Sequence, residues 1–103
     1  MALELRPNCE WCDRDLPPAA AQARICSYEC TFCADCVEQH LANVCPNCGG
    51  GFAPRPIRPA RAWRPGVSLD DQPASSQRVG LKRDRAEIAR FVAGLSHVPP
   101  AVR

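Results

Sequence analysis

The dense spacing of cysteine constrains this chain more than any other feature of its sequence. All eight cysteines of the 103 residues lie between Cys9 and Cys48. Large apolar residues are few in this stretch, and so small a core rarely outweighs the conformational entropy that folding costs. Cross-links, made by disulfides or by metal ions, must therefore stabilise the N-terminal half.

The first residues favour metal ions over disulfides. The segment from Met1 to Pro7 has no basic start, no apolar run and no small-residue cleavage site, so it is unlike a secretory signal. No segment approaches the roughly 20 apolar residues that a membrane span requires. We therefore expect a cytoplasmic protein without a membrane partner, whose thiols stay reduced. Eight cysteines also allow on the order of a hundred disulfide pairings, and nothing in the sequence selects one.

The intervals between the cysteines are those of zinc ligands. The sequence reads Cys9-x2-Cys12, then Cys26-x3-Cys30-x2-Cys33-x2-Cys36, then Cys45-x2-Cys48. A Cys-x2-Cys turn directs two thiolates at one tetrahedral zinc ion. A single pair is equally a redox motif, but eight cysteines at these intervals supply two closed four-cysteine sites. We expect two zinc ions per chain.

An iron–sulfur cluster would use the same thiolate ligands. The run Cys26-x3-Cys30-x2-Cys33 has the spacing found in radical enzymes of the S-adenosylmethionine family, but those enzymes surround the cluster with a large barrel. This chain has no such barrel. The bacterial ferredoxin order is the reverse of the order between Cys26 and Cys36. Zinc is therefore the predicted metal.

Two pairings of the ligands are open. A sequential scheme joins the first four cysteines at one zinc and the last four at the other. An interleaved scheme joins the first and third pairs at one zinc and the second and fourth pairs at the other. Only two residues separate the sites in the sequential scheme, which crowds two dianionic clusters along the chain. Geometry therefore favours the interleaved scheme without excluding the other.

The second half of the cysteine-rich stretch resembles a RING finger. The matching residues are Cys30-Thr31-Phe32-Cys33-Ala34-Asp35-Cys36-Val37-Glu38-Gln39-His40-Leu41, followed by Cys45-Pro46-Asn47-Cys48. That family's pattern is a ligand, any residue, Phe, Cys-x2-Cys, a short helix and Cys-Pro-x-Cys. The resemblance implies a treble-clef, cross-brace module with interleaved ligands. Site 1 would then contain Cys9, Cys12, Cys33 and Cys36, and site 2 would contain Cys26, Cys30, Cys45 and Cys48.

Two residues depart from the RING pattern. Cys30 stands where most RING fingers have His, and Gly49 stands where many ubiquitin ligases have a basic residue. The first 55 to 60 residues also resemble short cysteine-rich bacterial proteins grouped as a domain of unknown function. That second resemblance implies a zinc module and tells little about activity.

Short elements of secondary structure fit around the predicted ligands. Arg24 to Glu29 can form one arm of a hairpin, and Asp35 to Asn43 a short helix with Asp35 as its N-cap. We expect Val37, Leu41 and Val44 to face inward at helical spacing. Gly49, Gly50 and Gly51 allow positive φ angles. We expect His40 to be an exposed helix residue, because the cysteines already fill both sites.

Composition divides the chain into four parts. Residues 1–52 form the two-zinc module, 53–80 a flexible linker rich in Pro and Arg, 81–96 an amphipathic helix and 97–103 a disordered tail. The predicted fold class is a small zinc-stabilised α+β module with a RING-like cross-brace and two four-cysteine sites. A disordered linker and a short C-terminal helix follow it.

The C-terminal helix has clear sequence signals. Asp84 is the predicted N-cap, with Glu87 three residues later, and Gly94 is the predicted stop. One face carries an apolar stripe formed by Ile88, Phe91, Val92 and Leu95. A helix of this length is marginal alone, so the stripe packs either on the zinc module or on a partner. The sequence does not choose between the two.

Charge separates the two halves of the chain. Residues 1–50 carry three arginines against seven acidic residues, a net charge of −4, whereas residues 51–103 carry ten basic against four acidic residues, a net charge of +6. A strip of arginines recurs at every third residue: Arg55, Arg58, Arg61 and Arg64. Such a strip can attract nucleic acid or an acidic surface. Blocks of like charge more often mark flexible, solvated segments, so we expect the strip to solvate an extended linker or to lie against the protein's own acidic module.

The residues predict a binding protein and not an enzyme. They offer no Ser-His-Asp constellation, open metal position, phosphate loop or carboxylate pair. We expect a zinc-binding, non-catalytic interaction module with a protein partner and no small-molecule substrate. Nucleic-acid binding through the Arg55–Arg64 strip is the first alternative. A ubiquitin-ligase-like scaffold is the second, in which Trp11 occupies the loop that RING ligases present to the conjugating enzyme. Because zinc-bound thiolates can be oxidised, thiol-based sensing is a variant of the interaction module.

Overall fold

A three-stranded antiparallel sheet lies at the centre of the molecule. In the computed structural model, which describes residues 2–103, β1 (Ala23–Ile25) pairs with β2 (Thr31–Cys33) on one side and with β3 (Ala53–Pro54) on the other. Phe32 of β2 is fully buried and meets Phe52 edge to face, with ring centroids 5.5 Å apart. The sheet therefore joins the cysteine-rich region to the start of the Pro/Arg-rich segment.

The loop between β1 and β2 is a tight turn with a cysteine at each end. The amide of Cys26 donates to the Cys30 carbonyl at 3.2 Å, and the amide of Glu29 donates to the Cys26 carbonyl at 3.0 Å. Glu29 has a φ of 68°. The hairpin predicted near Arg24–Glu29 is therefore present, and its turn brings two cysteines together.

The helix after β2 begins earlier than predicted. Helix α1 (Ala34–Cys36) continues as a π-helical turn (Val37–Leu41), and its N-cap is Cys33, without a side-chain capping bond. The prediction of Asp35 as N-cap is wrong, because the helix begins directly where β2 ends. Asp35 lies in the first turn instead and forms an exposed ion pair with Arg14 at 3.4 Å.

Two residues in the left-handed region end this helical segment. Ala42 has a φ of 47° and Asn43 a φ of 60°. The reversal leaves Leu41 and Val44 fully buried, while Val37 packs against the core and is half-buried. The inward face predicted for these three residues is confirmed.

Helix α2 (Arg85–Leu95) has the predicted cap. The Asp84 side chain accepts the Glu87 amide at 3.0 Å, and the helix continues one residue past Gly94. Ile88 and Val92 of its apolar stripe are buried in the same cluster as Leu41 and Val44. The stripe therefore packs on the cysteine-rich module of its own chain.

Cysteines make up a large part of this core. Six of the thirteen residues in the buried hydrophobic cluster are cysteines. The other seven are Leu16, Ala23, Phe32, Leu41, Val44, Ile88 and Val92. The thiols that are candidate ligands are therefore also the packing centre of the fold.

Residues 53–80, called the covering segment below, lie against the N-terminal module. The Asn8 side chain donates to the Val79 carbonyl at 2.9 Å and accepts the Val79 amide at 3.1 Å, so it pairs with that residue as a neighbouring strand would. Arg78 bonds Asp13 at 3.0 Å and Asp15 at 2.7 Å. The flexibility predicted for this segment stays a prediction, but these contacts give it a defined path.

Arg55 attaches the start of the covering segment. Its side chain is only 4% exposed and donates to three backbone carbonyls: Arg6 at 2.8 Å, Leu16 at 3.1 Å and Pro17 at 2.9 Å. The Nε atom has no partner, and burial lowers the guanidinium pKa. Arg55 is therefore an internal anchor held by carbonyl dipoles.

The C-terminal residues also contact the module. The Arg103 guanidinium donates to the Asn43 carbonyl at 2.8 Å and to the Gly49 carbonyl at 3.1 Å. A short 3-10 turn precedes it (Pro100–Val102). The disorder predicted for residues 97–103 stays a prediction. Within residues 2–103, no helix combines the length and hydrophobicity needed to span a bilayer.

Candidate metal centre

Four thiols converge on one point between β2 and the loop from Cys9 to Cys12, called the first loop below. The Sγ atoms of cluster 1 all lie within 4.8 Å of one another: Cys9, Cys12, Cys33 and Cys36. The Sγ atoms of Cys12 and Cys33 are 3.9 Å apart. Four sulfurs at 2.3 Å from a tetrahedral zinc would lie about 3.8 Å from one another. The cluster therefore has the dimensions of a tetrathiolate site.

Backbone amides support the thiols of cluster 1. Burial raises the pKa of the Cys9 thiol against the lowering effect of the backbone amides of Cys12, Cys33 and Trp11, and at Cys33 burial is outweighed by the Cys36 amide and by neighbouring thiols. The amide of Asp13 donates to the Cys9 carbonyl at 2.9 Å and closes the first loop. Amides directed at sulfur stabilise thiolates, so the two Cys-x2-Cys turns are built to hold negative charge.

A second group of thiols, cluster 2, lies between the hairpin turn and the final Cys-x2-Cys loop. The Sγ atoms of Cys26, Cys45 and Cys48 lie within 4.8 Å of one another. Cys30 falls outside that common distance, and its sulfur accepts a hydrogen bond at 3.4 Å from the side chain of Asn47, in the Cys45–Cys48 loop. The structure therefore brings three of the four predicted ligands of site 2 together and places the fourth beside the loop that carries two of them.

The loop that carries Cys45 and Cys48 requires glycine at its end. Gly49 is buried with a φ of 80°, and its amide donates to the Cys45 carbonyl at 2.7 Å. A Cβ atom there would come within 3.2 Å of the Leu95 side chain. The positive φ predicted for Gly49 is confirmed, and α2 occupies the space that a larger residue would fill.

Burial opposes the ionisation of several of these thiols. It raises the pKa of Cys26 to about 11 and also raises that of Cys36. The interaction between the Cys30 and Cys45 side chains lowers the pKa of Cys30 to about 5 and raises that of Cys45. Positive charge from a soft divalent cation would favour the thiolate forms of these side chains.

Two aromatic residues lie beside cluster 1. Trp11 stacks on His40 with ring centroids 4.5 Å apart and an interplanar angle of 13°, and the Arg85 guanidinium lies 4.7 Å from the indole centroid. His40 is exposed, as predicted, and belongs to neither cluster. Trp11 is half-buried by these contacts, so its ring is not an open surface.

Most of the other residues predicted to contact a partner are instead buried or hydrogen-bonded within this chain. Ile88 and Val92 are buried in the core, and Phe91 and Leu95 are half-buried against it. Arg55 is buried. The Arg58 guanidinium donates to the Leu3 and Gln72 carbonyls, each at 2.6 Å. Of the predicted strip, Arg61 and Arg64 remain exposed.

Glu10, a buried carboxylate between the first two cysteines, is not among the residues predicted from sequence. Its side chain is 1% exposed and accepts hydrogen bonds from three different parts of the module. A charged residue between two predicted ligands is the only sequence signal it gives. Such residues are usually solvated, and only the tertiary structure shows that this one is not.

Comparison with known proteins places the cysteine-rich region in a family. A family model described as a protein of unknown function, DUF1272, matches residues 2–58, which contain all eight cysteines. An uncharacterized protein of Rhizobium meliloti (strain 1021) is 56% identical over 77 residues, which cover 75% of this chain and 84% of that protein. No solved structure matches the chain.

Proposed function

Because the chain belongs to the DUF1272 family, whose region of similarity contains both cysteine clusters, we propose that these clusters are two zinc sites that fold a non-catalytic interaction module. The observation that carries the proposal is the convergence of buried thiols at two separate points. Six of the eight cysteines are buried. Burying so many polarisable thiols together favours a shared soft cation.

The donor set supports a structural role for the metal. Zinc accepts four sulfur ligands in a closed tetrahedron, and a catalytic zinc instead keeps one position for water or substrate. Cluster 1 presents four sulfurs within 4.8 Å. A metal bound there has no coordination position left for a substrate. The zinc would supply positive charge and cross-linking, and the amides around Cys9 and Cys33 would orient their thiolates.

The grouping of the thiols supports interleaved ligation. Cluster 1 combines the first and third pairs, Cys9–Cys12 and Cys33–Cys36, whereas a sequential scheme would place Cys26 and Cys30 with the first pair. The RING-like cross-brace belongs to this proposal. The ligase-like alternative receives less support, because Trp11 is covered by Arg85 and His40.

Cobalt substitution tests the ligand pairing. Imidazole can replace thiolate at a tetrahedral site, so we expect the double variant Cys9→His and Cys33→His to contain one site with two sulfur and two nitrogen ligands. The other site should stay all-sulfur. The d–d and sulfur-to-cobalt charge-transfer bands of the cobalt-loaded protein measure both environments.

A matched control uses one cysteine from each cluster. The double variant Cys9→His and Cys26→His should place one nitrogen ligand in each site and leave no four-sulfur spectrum. If the two double variants exchange these results, the interleaved pairing is wrong, although zinc binding itself would stand.

The loop at residues 57–67 is the surface that we assign to a partner. Among residues 2–103, three of the five exposed large hydrophobic side chains lie in it: Ile57 at 61%, Trp63 at 77% and Val67 at 52%. The Arg61 guanidinium lies 5.5 Å from the Trp63 ring. Concentrated apolar exposure beside arginines is typical of interaction sites and fits a partner surface of negative charge.

The base of this loop is held in place. The Leu69 amide donates to the Pro59 carbonyl at 2.8 Å, and the Gln72 side chain donates to the Gly66 carbonyl at 2.9 Å. Ser68 is buried and accepts the Asp70 amide at 3.1 Å. The loop therefore presents Trp63 from a preformed conformation, which lowers the entropy that binding costs.

Nucleic-acid binding through the same loop is the alternative to a protein partner. We expect a mixed-sequence single-stranded oligonucleotide to bind weakly, with a log–log salt slope of about −1.4 for two arginines. The double variant Arg61→Gln and Arg64→Gln should remove the salt dependence in fluorescence anisotropy titrations. Arg55 and Arg58 are left intact because they bind backbone carbonyls. Tight, sequence-selective binding at physiological salt would favour the nucleic-acid function over the protein partner.

A further inference from the structure

A buried hydrogen-bond network connects the two cysteine clusters. At its centre is Glu10, which lies between two residues of cluster 1 along the chain. Its carboxylate accepts the Thr31 amide at 2.8 Å and the Arg6 guanidinium at 2.9 Å. Its own amide donates to the Thr31 carbonyl at 3.0 Å. Glu10 is therefore bonded to Thr31 through both its backbone and its side chain.

The residues that Glu10 binds lie next to predicted ligands of site 2. Thr31 follows Cys30 directly in the chain, and Asn47 lies between Cys45 and Cys48. The Asn47 side chain donates to the Glu10 carboxylate at 3.4 Å and to the Cys30 sulfur at 3.4 Å. One carboxylate from the first loop thus fixes both the strand and the loop that carry the second cluster.

The position of Glu10 makes it a coupling residue and not a ligand. Its side chain is 1% exposed, and its partners are a guanidinium, an amide and a carboxamide. It belongs to neither group of converging donor atoms. Charge-assisted hydrogen bonds in a buried site are strong and directional, so the network transmits position between the clusters.

We infer that Glu10 couples the two metal sites, so that occupation of either cluster raises the metal affinity of the other. This inference rests on the proposed zinc function. Metal bound at cluster 1 fixes the loop from Cys9 to Cys12 and with it the Glu10 carboxylate. The carboxylate then holds Thr31 and Asn47 in place, which orders cluster 2 before its metal binds. Linkage requires the same effect in the opposite direction.

Native mass spectrometry during cobalt titration measures this coupling. Consider the point in the titration at which half of all sites are filled. If the two sites are equal and independent, about half of the chains carry a single metal. If one bound metal raises the affinity of the other site a hundred-fold, only about a tenth of the chains do. We expect the wild-type chain to show mainly metal-free and two-metal forms. Glu10→Gln should weaken the coupling about ten-fold and raise the single-metal share from about a tenth to about a quarter.

Two control variants separate coupling from charge and from stability. Glu38→Gln removes an exposed acidic residue two positions after Cys36, and it should leave the species distribution unchanged. Val92→Ala weakens the core without touching the network. Because loss of stability makes the first metal bind less favourably, Val92→Ala should not raise the single-metal share.

The possible outcomes distinguish this inference from the proposed function. If the wild-type chain fails to bind two metals, the zinc proposal fails. If the wild-type chain binds two metals and Glu10→Gln retains the wild-type distribution, the metal sites stand and the coupling through Glu10 is wrong. Should Glu10→Gln not fold, Asn47→Ala removes the weaker 3.4 Å contacts and must shift the distribution in the same direction.

Discussion

Chelation of the metal is expected to unfold the whole chain, including helix α2. Apparent binding energies of about 10–16 kcal/mol per structural zinc site equal or exceed the roughly 5–15 kcal/mol that stabilises a typical folded domain. Six of the thirteen core residues are cysteines, and Ile88 and Val92 of α2 pack among them. Far-ultraviolet circular dichroism should therefore lose the α2 signal together with the rest of the structure.

The chelation experiment requires control of thiol chemistry. A non-thiol reductant keeps the cysteines reduced, and added zinc should restore the spectrum with a stoichiometry of two ions per chain. A chelated chain that retains its dichroism and its resistance to protease would show that the apolar core suffices without metal. Recovery with only one zinc per chain would contradict the second site.

Replacement of Arg55 by methionine should cause the second large effect. The substitution leaves the carbonyls of Arg6 and Leu16 without donors and removes one of the two donors to the Pro17 carbonyl, which also accepts the Ala20 amide at 2.9 Å. Each unsatisfied buried group costs about 1–3 kcal/mol. Because water can reach part of the vacated space, we expect the free energy of unfolding in urea to fall by about 2–4 kcal/mol at a fixed free zinc concentration.

Arg64 provides the matched control for Arg55. Both residues belong to the strip predicted from sequence, but Arg64 is exposed and forms no hydrogen bond within residues 2–103. Arg64→Met should change stability by less than about 0.5 kcal/mol. Equal effects of the two substitutions would mean that Arg55 is solvated in solution and does not anchor the covering segment.

The elements near the cysteines could be predicted from sequence because their signals are local. The intervals between ligands indicate which residues turn toward a metal, and the Asp84 cap with the stripe from Ile88 to Leu95 predicts α2. One local error was the N-cap of α1. Asp35 satisfies a capping pattern, but the helix starts at Ala34 because β2 ends at Cys33.

The long-range contacts could not be predicted, since they depend on side chains that bind distant backbone. Arg55 resembles the other arginines of its strip in sequence, and nothing local shows that it lies among three carbonyls. Asn8 resembles a turn residue, yet its amide group pairs with Val79, 71 residues away. Glu10 has the sequence context of a solvated acid. Composition alone therefore predicts a linker where the structure has a covering segment.

The pairing of Asn8 with Val79 also sets an order of events during synthesis. Residues leave the ribosome in chain order, so all eight cysteines have emerged once Cys48 has left it. At a synthesis rate of about 5–20 residues per second, Val79 emerges roughly 2 to 6 s after Cys48. The thiols are therefore outside the ribosome before the covering segment can pack on them. If the clusters bind zinc as proposed, metal can bind before this packing occurs, and a shortage of metal would leave the later residues without a folded surface to pack against.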